Sequence, residues 1–304
     1  MLREDDCMNY TPSTTPETTF QLLRRSWQLY CATFLKVFFL SLILSIIAFI
    51  PRIIALIAGR DVVANLPLLS PHQLWLLLIY IADLTLFMAI LWRLQCVTTN
   101  AHEHLFDDVK TGFKKVPLII AGALAQFLVF ILVSITAIGV NLYMVQQNLV
   151  SSKDILGILI IGLPAAFQFL FCVYAFYLLY FYFPIILTEN EGAIASLIKS
   201  AKLVWGRWWK TFWTITIPWI IYVIVLILFV KFGFRMHVYF YNLPTLTISS
   251  TILHIIIFAI FIPWFAATSL VTLRDLEISS TVIVVKKPKK NPRKKPSLKP
   301  KTKL

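Results

Sequence analysis

Apolar residues gather in six long stretches between about Phe34 and Leu273, each closed by a polar break. A helix rises 1.5 Å per residue, so about 20 apolar residues cross the roughly 30 Å hydrocarbon layer of a bilayer. The pattern predicts membrane helices at Phe34–Ile50, Leu74–Trp92, Pro117–Val140, Ile155–Phe183, Phe212–Val230 and Ile248–Leu273. The third, fourth and sixth exceed the minimum length and are expected to tilt or to project past the lipid. Pro164, Pro218 and Pro263 fall inside spans. There a proline frees a backbone carbonyl and tends to kink the helix.

Shorter amphipathic patterns precede alternate spans. Phe20, Leu23, Trp27 and Tyr30 recur at helical spacing after a Thr15-Pro16-Glu17 helix start. Asn100 and Glu103 form a capping box before Leu105, Val109 and Phe113. In the third segment, Thr188 and Glu191 match the same spacing, and Ile194, Leu197, Ile198, Ala201, Val204 and Trp208 line one face. Such helices suit the headgroup layer. They equally fit the first turns of the spans that follow. Leu23, Ser26, Leu29, Lys36 and Phe38 superpose on Leu197, Ser200, Leu203, Lys210 and Phe212 at a constant offset of 174, which suggests a repeated unit.

The expected fold is an all-α integral membrane protein, with six transmembrane helices and three amphipathic helices on the cytoplasmic face. Residues 1–14 form a polar N-terminal segment, 15–278 the membrane domain, and 279–304 a disordered basic tail. Composition agrees: 59% hydrophobic and 14% charged residues leave little chain for a soluble domain. Ten of the 28 Lys and Arg residues fall between Lys286 and Lys303 with no acid among them, so the net charge of +14 reflects a tail. Outside the tail, thirteen cationic residues flank one side of the spans and five the other. Cytoplasmic flanks are enriched in Lys and Arg, which predicts both termini inside. The polar opening Met1–Pro16 lacks the pattern of a signal peptide, and the first span is expected to serve as its own insertion signal. Cys7, Cys31 and Cys96 fall on the cytoplasmic side and Cys172 in a span, so no disulfide is predicted.

One run is distinctive. Phe183-Pro184-Ile185-Ile186-Leu187-Thr188-Glu189-Asn190-Glu191-Gly192 ends a span at a proline and an acidic turn, and the Ser/Lys helix 193–203 leads into the next span. This arrangement resembles the YciC-like inner-membrane family, and it is similar to the membrane domain associated with glycerophosphoryl diester phosphodiesterases. The resemblance covers about residues 15–278 and implies a six-span protein of the bacterial inner membrane. The phosphodiesterase catalytic domain is not present in this sequence, so that activity is not implied.

Candidate chemistry is sparse. Asp83 lies mid-span, where a carboxylate costs roughly 2.5–3.5 kcal/mol, and Gln126 and Gln168 fall at similar depth. The three could bind a proton or a polar group, or lock helices together. His102, Glu103, His104, Asp107 and Asp108 crowd one membrane edge, and His104 and Asp108 sit four apart. That pair could share a divalent ion, against which capping and helix-dipole roles account for the cluster without a metal. The lone His254 is read as an interfacial or hydrogen-bonded residue rather than a catalytic one. GxSxG, HExxH and Walker patterns are missing from the sequence, and no enzyme activity or cofactor is expected. Lipid-surface candidates are Arg24, Arg25, Lys199 and Lys202, with Lys286, Lys287, Lys289, Lys290, Arg293, Lys294 and Lys295 in the tail. With no aromatic interleaved in the tail, anionic headgroups are the expected partner rather than nucleic acid. The expectation is a non-enzymatic inner-membrane protein acting on membrane or envelope state through lipid engagement. The rival is a proton- or cation-coupled transporter centred on Asp83, working as a homo-oligomer because six short-looped spans make a small bundle.

Overall fold

The computed structural model describes residues 10–58, 71–99, 101, 104–146, 155–239 and 243–286. All regular structure among them is helical: α1 Thr19–Ala58, α2 Pro71–Thr99, α3 Leu105–Gln146, α4 Ile155–Leu179, α5 Tyr182–Glu189, α6 Ala193–Val204, α7 Trp208–Tyr239 and α8 Leu243–Lys286. Six segments are long and apolar enough to cross a membrane, the fourth running from α4 through α5. The chain is a multi-pass membrane protein.

α8 is the central element. Within its membrane window 78% of residues are buried, against 12% for α3. It packs chiefly on α1, where Leu29, Val37 and Leu40 share a core with Trp264, Ala267 and Leu270. Small residues let the two backbones approach: buried Ser41 on α1 meets buried Ala259 on α8. Pro263 has no N–H, so the carbonyl of Ala259 four residues earlier loses its helical donor. The Ser41 hydroxyl of α1 donates to that carbonyl. The carbonyl that Pro263 leaves without a helical donor is thus satisfied by the helix's main packing partner.

Just ahead of a second proline lies a break that the hydrophobic pattern hid. The fourth span, expected as one helix over Ile155–Phe183, stops at Leu179, turns through Tyr180 and Phe181, and resumes as α5. Pro184 falls in the first turn of α5, where its missing N–H costs no bond within that helix. Fully buried Ser200 of α6 bridges the gap, accepting the Phe181 N–H at 3.1 Å and donating to the Leu178 carbonyl at 2.7 Å. One hydroxyl satisfies a donor and an acceptor that the break would orphan.

Lead-in segments one and two are continuous with α1 and α3, whereas the third is the separate helix α6. The helix starts also differ from expectation. α1 is capped by Thr18 and Gln21, which bond reciprocally at 2.8 and 3.4 Å, in place of Thr15. The cap of α6 is Gly192 rather than Thr188 of the expected box with Glu191, because Thr188 is already used in α5. Asn100 and Glu103 lie outside the described residues. On α6 the buried face is Ser196, Leu197, Ser200, Leu203 and Val204, while Ile194 and Ile198 point outward. Gly206, at φ 82°, then takes the left-handed turn into α7.

Domain edges shift as well. Within the expected polar N-terminal segment, Tyr10 packs on the bundle core and Ser13 is buried. α8 continues to Lys286, past the expected boundary at 278, because Val282–Val285 prolong its apolar run. Residues 287–304, and with them most of the expected tail, lie outside the described residues.

Candidate functional site

Mid-span polar residues are not assembled into one site. Gln168 of α4 donates to Ser134 Oγ of α3 at 2.8 Å. Among the described residues no hydrogen bond joins Asp83 to Gln126 or Gln168. The amide finds the nearest hydroxyl across its own helix pair, so the interhelical lock falls between α3 and α4 and leaves Asp83 out. One carboxylate oxygen of Asp83, Oδ1, is enclosed without a hydrogen-bond partner. His254, near the far end of α8, meets the Tyr222 hydroxyl at 3.2 Å and Arg52 at 3.5 Å.

The charged residues collect at the opposite end of the bundle, where α1, α3 and α7 begin and α2, α5 and α8 finish. Much of that charge is spent inside the protein. Arg25 pairs with Glu17 and donates to the Thr11 carbonyl. Lys199 pairs with Glu189 and lies 3.7 Å from Glu191. Burial would lower the Lys199 ammonium, but the carboxylates of Glu189, Glu191 and Glu277 outweigh it and hold the group above its usual range. These two lipid-surface candidates are therefore engaged by acids. Lys202 and Arg24 remain exposed. Lys286 ends α8; Lys287, Lys289, Lys290, Arg293, Lys294 and Lys295 lie outside the described residues.

Of the edge cluster, His102 and Glu103 lie outside the described residues, and the His104 carbonyl accepts the Asp107 and Asp108 N–H groups. Asp108 is fully buried and ion-paired to Arg93 Nε at 2.8 Å, which turns it from His104 towards α2. Asp275 plays the same bracing role on α8. It accepts the Glu17 N–H at 2.7 Å and Lys210 Nζ at 2.5 Å, pinning the N-terminal strap and α7 to α8.

Two openings flank the end of α2. One is a polar cleft of about 360 Å³ lined by Tyr10, Gln95, Thr98, Glu189, Arg274 and Glu277. Burial pushes the Tyr10 hydroxyl above its ordinary value, so it faces the cleft as a neutral donor. The other is a groove of about 390 Å³ between α1 and α2, lined by Leu35, Lys36, Phe39, Arg93, Val97 and Leu105. Sequence reasoning counted Lys36 and Arg93 for topology and missed them as a pair, since 57 residues separate them. The only signal was their shared membrane edge.

Around α6, Ile194, Ile198, Trp205 and Trp209 are each at least half exposed, beside exposed Lys202. Tryptophan favours the headgroup layer, where its ring is half apolar and its N–H is wet. Comparison with protein-family models, with curated proteins and with solved structures finds no match to this chain.

Proposed function

We propose that this multi-pass protein sits in a bacterial inner membrane with both termini cytoplasmic, and acts on membrane state without covalent chemistry by engaging lipid. The observation that carries the reading is the outward patch of Ile194, Ile198, Trp205 and Trp209 beside Lys202. Apolar side chains with an adjoining cation match the boundary between acyl chains and anionic headgroups. The YciC-like relationship is part of the same proposal and rests on residues 183–203, which fold as α5, a turn and α6. Lipids co-purified from native membranes and identified by mass spectrometry provide the test. One class enriched well above the bulk membrane supports the reading; a bulk mixture sinks it.

Asp83 supports a second reading. A carboxylate oxygen enclosed in a span without a partner is an expected feature of a proton carrier. Asp83→Asn would then abolish proton-coupled flux in liposomes. Under the lipid reading the same variant keeps its lipid profile.

A further inference from the structure

The groove between α1 and α2 combines two surfaces seldom adjacent in a soluble fold. Leu35 and Phe39 are one helical turn apart on α1 and are 88% and 62% exposed, so they form an apolar wall open to the acyl layer. Exposed Lys36 adjoins that wall, and Arg93 faces it from α2. Asp108 offsets Arg93, being ion-paired to it. Among the described residues no carboxylate pairs with Lys36, so the groove keeps a positive charge beside its apolar wall. A lysine on a membrane helix reaches for the phosphate layer while its stem covers apolar surface.

We propose that this groove binds one anionic glycerophospholipid, its phosphate against Lys36 and an acyl chain along Leu35 and Phe39. The inference rests on the lipid-engaging function proposed above and adds a location and a ligand class. A free phosphate would use Lys36 and leave the apolar wall without purpose, so the wall selects a lipid. Arg93 orients the α2 side of the groove and is itself positioned by Asp108.

The test uses the full chain in nanodiscs of phosphatidylcholine doped with phosphatidylglycerol, with retained lipids counted by native mass spectrometry. Wild type is expected to hold phosphatidylglycerol above its bulk share. Lys36→Gln should lower that retention about fivefold, the equivalent of roughly 1 kcal/mol for one basic residue near the surface. Lys36→Arg should keep it, and Phe39→Ala should weaken it while Lys114→Gln, at an exposed cation outside the groove, does not. Lys36 and Phe39 are exposed, so these variants leave the core intact, and a monodisperse gel-filtration profile checks that. Enrichment that survives both Lys36→Gln and Phe39→Ala overturns the site but not the lipid reading. No enrichment in wild type overturns both. Displacement of the lipid by inorganic phosphate overturns the acyl-chain contact.

Discussion

Single hydroxyls carry a disproportionate share of this bundle's order. Ser41 caps the carbonyl released by Pro263, and Ser200 holds both sides of the α4–α5 break. In lipid an orphaned backbone group has no water to turn to, so each of these bonds matters more than a surface hydroxyl would. Ser200→Ala should destabilise the protein by about 1–3 kcal/mol, the cost of leaving a buried donor and acceptor unmade. A lowered thermal midpoint in detergent with unchanged helix content would show it; an unchanged midpoint would mean the break is satisfied in another way. Neither serine's role was visible in advance. Their helical positions were readable, but their partners lie 218 residues away in one case and 19 to 22 in the other.

Among the elements, helix crossings and the N-terminal strap are the points of greatest constraint. At Gly112, an added Cβ would lie 2.6 Å from the Thr85 carbonyl oxygen and 3.1 Å from the Ala89 nitrogen, both backbone atoms of α2. Gly112→Ala must therefore push α2 and α3 apart, at about 1–3 kcal/mol for an overpacked contact. Gly139 has nothing within 4 Å, and Gly139→Ala should be neutral or slightly stabilising. The two glycines look alike in sequence, so opposite shifts in thermal midpoint test the crossing directly. On α8, Asp275→Asn removes the charge that Lys210 meets. Lys210 keeps some solvent access, which points to the lower end for a broken buried pair, about 3 kcal/mol. Faster hydrogen exchange at the Glu17 amide, which donates to Asp275, would accompany it. Exchange equal to wild type would show that the strap is held elsewhere.

At the scale of the whole molecule, orientation is the next measurement. The thirteen-to-five division of cationic flanks predicts that the charged end of the bundle faces the cytoplasm. Membrane-impermeant thiol labelling from outside should reach cysteines placed at Ser151 or Asn242 and spare one at Ser297. The reverse pattern would invert the protein and move both the groove and the polar cleft to the outer leaflet.

The chain by itself determined the solvent, the number of crossings and the all-helical class, because those follow from the length and periodicity of apolar runs, which are local properties. Lys36, Arg93, Glu189 and Asp275 were equally legible as charges. Only the tertiary structure decided which are spent on internal pairs and which line an opening, since that depends on the face each helix turns to its neighbours. Asp83, Gln126 and Gln168 show the same division. Their depth could be counted along the sequence, but whether they meet is set by the faces on which α2, α3 and α4 pack, and packing directed Gln168 to Ser134. Depth in a membrane is a one-dimensional quantity that a sequence records; the azimuth of a side chain is fixed only when the helices choose their neighbours.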